Sequence, residues 1–205
     1  MTKSRIVTAF VGLALAGLAG FTNQAVAQDA SPADLLRISN YLNGIGTLEG
    51  NFVQVGPDGD LSEGLFYMRR PGRMRFEYAP PNRALIIADG VWVGVCDPQI
   101  QTVDRFPLSE TPLDLLLRDR VDLRSDDAVQ SIERSAGQLR VKAIDPDAPD
   151  QGSITMVFAD SPLELRQWIV VDNQGLTTTV ALSETRANVK LGGELFYIGD
   201  ENCER

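Results

Sequence analysis

Gly64-Leu65-Phe66-Tyr67-Met68-Arg69-Arg70-Pro71-Gly72-Arg73-Met74-Arg75-Phe76-Glu77-Tyr78 is the stretch that decides the fold. Strand alternation places Phe66, Met68 and Arg70 on one face and Leu65, Tyr67 and Arg69 on the other. After Pro71-Gly72 the pattern resumes, with Met74, Phe76 and Tyr78 opposite Arg73, Arg75 and Glu77. This predicts an antiparallel hairpin with one apolar face, and Arg70 is the single cation on that face.

The same signature extends in both directions. Segments near 47–55, 61–70, 73–79, 84–89, 91–96, 100–106, 128–134, 138–144, 152–159, 162–172, 175–186 and 190–198 are bounded by Gly, Pro, Asp or Asn. The clearest turns fall at Pro57-Asp58-Gly59-Asp60, Asp89-Gly90 and Asp172-Asn173-Gln174-Gly175. A sheet of so many short strands in meander order must curl to bury its apolar face. The expected fold is therefore mainly β (α+β): an incomplete antiparallel β-barrel of about eleven strands.

Two short amphipathic helices are available to roof it. The first starts with Ser31 as N-cap, Pro32 in first position and Asp34 closing a capping box, and it ends at Gly44. Its apolar stripe holds Leu35, Ile38 and Leu42. The second repeats the start signal at Thr111, Pro112 and Asp114, then runs through Leu115 and Leu116. Together they predict a short-helix lid enclosing an apolar cavity lined by Phe52, Phe66, Met68, Met74, Phe76, Tyr78 and Trp92. Methionines suit a wall that must repack around chains of varied shape. Arg70 at the edge of such a cavity needs acceptors from a carbonyl, a lid or a ligand, or else lays its stem on apolar surface with its head in water.

Residues 1–27 read as a secretory signal peptide. Lys3 and Arg5 precede an apolar run from Ile6 to Phe21, followed by Ala25-Val26-Ala27 as a cleavage site. The run is shorter than the roughly 18 residues that cross a membrane. Residues 28–205 then form one domain, expected in the periplasm. Losing Lys3 and Arg5 moves the net charge from −9 to −11, which removes the main source of nucleic-acid affinity. Cys96 and Cys203 would meet an oxidising compartment, where a bridge between them is plausible beside the alternative of two separate thiols.

The chain contains no histidine among its 205 residues, which excludes Ser-His and Cys-His catalysis and most zinc sites. There is no GxSxG elbow, P-loop or SxxK motif, and the carboxylates of Asp145 to Gly152 lack calcium-loop spacing. No enzyme activity, cofactor or metal is expected.

The ordered stretch TLEGNFVQ…SEGLFYMRRPGRMRFEYAPP…ALIIADGVWVGVCDP…IQTVDRFPLSETPLDLLL resembles the outer-membrane lipoprotein carrier protein family, LolA, with the related acceptor LolB. The resemblance implies a lidded half-barrel that takes acylated lipoproteins from an inner-membrane lipoprotein-releasing ABC transporter, crosses the periplasm and serves an outer-membrane acceptor if one is present. It also implies that Arg70, in the RPG strand, latches the lid. The chain is expected to act as a monomer. A carrier of another lipid (glycolipid or hopanoid), a lipid- or lipoprotein-sensing regulator and a hydrolase on the same scaffold are the alternatives.

Overall fold

The computed structural model describes residues 28–29, 31–97, 102–124 and 127–199. The expected signal peptide, residues 1–27, and Cys203 lie outside the described residues.

In chain order the elements are β1 (Gln28–Asp29), α1 (Pro32–Gly44), β2 (Thr47–Val55), β3 (Leu61–Arg69), β4 (Arg73–Tyr78), β5 (Leu85–Asp89), β6 (Trp92–Asp97) and β7 (Thr102–Pro107). There follow α2 (Asp114–Leu117), β8 (Val129–Ser135), β9 (Gln138–Ala143), β10 (Ser153–Asp160), β11 (Leu163–Val171) and β12 (Thr177–Ala187). All twelve strands join one antiparallel sheet in the order β1-β8-β9-β10-β11-β12-β2-β3-β4-β5-β6-β7, open between β1 and β7. The hairpin read from Gly64 to Tyr78 pairs Phe66 with Phe76 and Met68 with Met74, in the register that alternation requires.

The curvature can be measured from one contact. Phe76 on β4 and Trp168 on β11 are four strand spacings apart in the sheet, about 19 Å if it were flat. Their ring centroids lie 6.2 Å apart, so the sheet has rolled until its two halves touch. Gly64 permits the close packing inside: a Cβ there would meet the Glu77 carbonyl oxygen at 1.9 Å and the Phe52 ring at 2.9 Å. Gly72, with φ +73°, turns β3 into β4 where a side chain would strike the Gly90 backbone.

Two expectations need correction. Residues 190–198 form no strand. A 3-10 helix spans Gly193–Phe196, and the segment lies across the convex face of the sheet. Arginine side chains replace a strand ladder there: Arg69 donates to Leu191 O (3.3 Å), Arg75 to Leu195 O (3.0 Å) and Arg105 to Ile198 O (3.2 Å). The second helix is also shorter than its capping signal predicts. Thr111 spends its hydroxyl on Leu108 O at 2.8 Å, within a 3-10 turn over Leu108–Glu110, and α2 begins only at Asp114.

Candidate functional site

The concave face is apolar and centred on aromatic rings. Phe52 meets Phe76 and Tyr78 edge to face at 5.0 and 5.1 Å, while Phe66 lies 5.3 Å from Phe76 and 5.5 Å from Trp168. Met68 and Met74 belong to the same cluster. The Tyr78 hydroxyl donates to Gln54 Oε1 at 2.8 Å, and burial pushes its pKa up to about 12. The two lid elements insert Ile38, Leu42, Leu115 and Leu116 into this cluster, with Leu35 half-buried at its margin. In this conformation lid side chains fill the concave face.

Trp92 does not line that interior. It is 45% exposed, whereas its neighbour Val93 is buried in the core. Strand parity in β6 puts Val93 inward, and Trp92 therefore shares the convex face with Cys96. Cys96 is wholly buried beside Leu85, Ile87 and Ile198, beneath the C-terminal segment, and is not a free thiol.

Arg70 joins the two halves of the lid. Its guanidinium donates to the Leu42 carbonyl in the last turn of α1 and, through two nitrogens, to the Arg118 carbonyl just after α2; the Nε bond is 2.9 Å. The Leu42 carbonyl also accepts the Ile45 N–H at 3.2 Å where α1 ends, and Arg70 takes its second lone pair, while Arg118 stands at the C-terminal end of α2, where carbonyls lack helical partners. Burial lowers the Arg70 pKa, and the nearby Asp119 opposes that shift. The Arg118 side chain is in turn held by Asp114 (3.1 Å) and Asp145 (2.7 Å).

The sequence reading missed the rest of the lid's fastenings. Ser39 donates to Leu35 O (2.7 Å) and accepts from the Leu123 N–H (3.0 Å), and Asn43 bonds the Val121 backbone. The signal was available for Ser39, a buried polar residue next to Ile38, whereas Asn43 is an exposed position that immediately follows Leu42. At the opposite end of α1, Asp34 accepts from the Ser31 N–H and hydroxyl and pairs with Arg134, while Arg37 pairs with Asp160. Burial alone would raise the Asp34 pKa. The Ser31 hydrogen bonds, Arg134 and Arg37 outweigh it, and the net shift is downward.

Chemically this arrangement suits reversible covering of apolar material. Among the described residues the concave face consists mainly of rings and methyl groups, and the polar groups at its margin bond the two lid segments to the sheet and to each other.

Comparison with known proteins places this geometry in context. A family model described as outer membrane lipoprotein carrier protein LolA matches residues 43–199. An outer-membrane lipoprotein carrier protein from Methylococcus capsulatus is 27% identical over 186 residues, covering 86% of this chain and 86% of its own length. One from Xanthomonas oryzae pv. oryzae is 28% identical over 181 residues, covering 83% and 86%. Among solved structures, a putative outer membrane lipoprotein-sorting protein domain from Vibrio parahaemolyticus aligns over 84% of this chain and 97% of its own, with 8% identity and a TM-score of 0.49.

Proposed function

Because the chain belongs to the LolA family of outer membrane lipoprotein carriers, we propose that it is a periplasmic chaperone that shields the acyl chains of lipoproteins and moves them from the inner to the outer membrane. The family is one of carriers rather than enzymes, and no catalytic role is assigned to any residue here. On this reading the donor is an inner-membrane ABC transporter and the recipient an outer-membrane acceptor.

The observation that carries the proposal is the bridge from Arg70 to the Leu42 and Arg118 carbonyls, set over an apolar concave face. Swinging the lid away exposes Ile38, Leu42, Leu115 and Leu116, at about 1.5–3 kcal/mol each, or roughly 6–12 kcal/mol together. One acyl chain of about fifteen methylenes brings roughly 12 kcal/mol of transfer energy at ~0.8 kcal/mol each. The two quantities are comparable, so cargo replaces lid side chains at small net free energy and can leave again. A rigid sealed core would lack that reversibility, and an open cavity would expose its rings to water.

The test is mass spectrometry of proteins and lipids that co-purify with the chain from periplasm. Acylated proteins are expected. Free glycolipid or hopanoid alone would transfer the proposal to another lipid cargo, and recovery of neither would overturn it.

A further inference from the structure

The convex face carries a second apolar surface, separate from the lidded interior. At the tip of the β5–β6 hairpin Val91 is 65% exposed and Trp92 45%, and Tyr197 of the C-terminal segment is 63% exposed. With Arg69, Arg73, Asp89 and Phe196 they border a shallow cleft of about 440 Å³. Asp89 holds the tip in shape, its Oδ1 accepting from the Val91 N–H (2.9 Å) and the Trp92 N–H (2.8 Å). Arg69 is occupied, stacked 5.5 Å above the Phe196 ring and bonded to Leu191 O. Arg73 is different: it is partly exposed and stands opposite Asp89 across β4 and β5, and no ion pair to it is found among the described residues.

We propose that this hairpin tip and the adjoining C-terminal segment form a contact surface for an anionic bilayer, with Val91, Trp92 and Tyr197 in the interfacial layer and Arg73 facing lipid phosphate. Three features favour a lipid surface. Tryptophan and tyrosine combine an apolar body with a polar tip, which suits the boundary between headgroup and hydrocarbon. The Arg73 guanidinium, opposite Asp89 across β4 and β5 but in no ion pair with it, complements phosphate. The patch is a convex turn backed by a bonded strap, a shape that enters a soft layer. A protein of net charge −9 is otherwise repelled by an anionic membrane, which keeps such contact local and brief.

Position gives the surface its use. Gly90 at the hairpin tip abuts Gly72, and the Gly72 N–H donates to Leu117 O in α2 at 2.9 Å. The contact surface thus lies beside the turn that follows Arg70, at the latched end of the lid. A carrier resting on this tip presents its mouth to the membrane. That purpose rests on the carrier reading, whereas the contact itself rests on the patch.

The chain supplies its own probe. Of its two tryptophans, Trp168 is 1% exposed and Trp92 is the exposed one. The experiment mixes the full mature chain with vesicles of phosphatidylglycerol and phosphatidylethanolamine, or of phosphatidylcholine alone, including lipids brominated on the acyl chains. A blue shift and quenching of tryptophan emission are expected on the anionic vesicles only. Arg73→Gln should weaken partitioning about fivefold, and Val91→Asp should abolish quenching, both with an unchanged thermal midpoint. Absence of quenching on anionic vesicles, equal response to phosphatidylcholine, or indifference to both substitutions would overturn the proposal; each would leave the patch to a protein partner. Capture of acylated protein is measured without vesicles, so its loss strikes the carrier reading alone and loss of quenching strikes this surface alone.

Discussion

The Asn43 side chain and the Val121 backbone hold each other by two hydrogen bonds, Nδ2 donating to the Val121 carbonyl at 2.8 Å and the Val121 N–H donating to Oδ1 at 2.9 Å. They fasten the last turn of α1 to the segment after α2. One residue before Asn43, Arg70 bonds the Leu42 carbonyl, and three residues before Val121 it bonds the Arg118 carbonyl. These bonds tie two elements far apart in sequence to each other and to Arg70, polar contacts laid over an apolar surface.

Arg70→Leu removes three donated bonds at about 1 kcal/mol net each. A loss of about 2–3 kcal/mol moves the closed-to-open ratio roughly 30- to 150-fold. The variant is expected to exchange its amide hydrogens faster over residues 42–46 and 117–123, to accept cargo, and to release it more slowly, since the closed lid no longer competes for the concave face. Unchanged exchange and normal transfer would reduce Arg70 to a residue that packs at the rim.

Asn43→Ala should open the lid by a second route, costing about 1–2 kcal/mol because the Val121 N–H and carbonyl both lose their partner. If the two fastenings act on one closure, the double variant with Arg70→Leu will depart from additivity by about 0.5 kcal/mol or more. Strict additivity in denaturant titrations would mean that α1 and the 118–123 segment move independently.

The apolar face was readable where the two residue sets of a strand differ in chemistry. Phe66, Met68 and Met74, Phe76 oppose Arg69 and Arg73, Arg75, so parity names the inside. In β6 both sets are apolar, Val93 and Val95 against Trp92 and Cys96, and parity alone cannot assign the inward one. The structure resolves it through Ile198, which buries Cys96 on the convex side. Residues 190–198 misled for a related reason. Leu191, Phe196 and Ile198 give strand-like hydrophobicity, while the segment's true partners are arginines on three separate strands, a long-range arrangement that no local window carries. The capping residues of α1 were legible because Ser31, Pro32 and Asp34 act on their own neighbours; Asp34's pairing with Arg134, a hundred residues on, was not.

Asp34 makes lid stability depend on pH. Its pKa is lower in the folded chain than the ordinary value near 3.8. A carboxyl depressed in this way contributes stability above its unfolded pKa and loses it as pH falls through the folded one. Denaturant titrations of the wild type should therefore lose stability progressively below about pH 4, and Asp34→Asn, less stable at pH 7, should lose less over that range. Identical pH slopes for the two proteins would remove Asp34 as the source.

Cys96 is proposed to pair with Cys203, fastening the chain end to the convex face. Thiol labelling of the folded, oxidised protein should then modify neither residue, and Cys203→Ser should leave Cys96 unlabelled until the chain is unfolded, because Cys96 is wholly buried. Labelling of Cys203 in the intact oxidised protein would rule the bridge out.

Leu116 and Trp168 are both buried in the same cluster, at 0% and 1% exposure, yet their truncation should be felt differently. Trp168 packs on Phe66 and Phe76, rings of its own sheet that stay together when the lid swings. Trp168→Ala should thus lower global stability by about 3–5 kcal/mol. Leu116 meets those walls only through the lid. Part of the about 2–5 kcal/mol expected for a leucine truncated in a rigid core should appear instead as local opening, with faster amide exchange confined to residues 108–123 and a smaller shift of the global midpoint. Equal global losses for the two variants, with exchange unchanged in that segment, would mean that the lid unfolds only with the sheet, and a carrier mechanism based on lid movement would have no moving part.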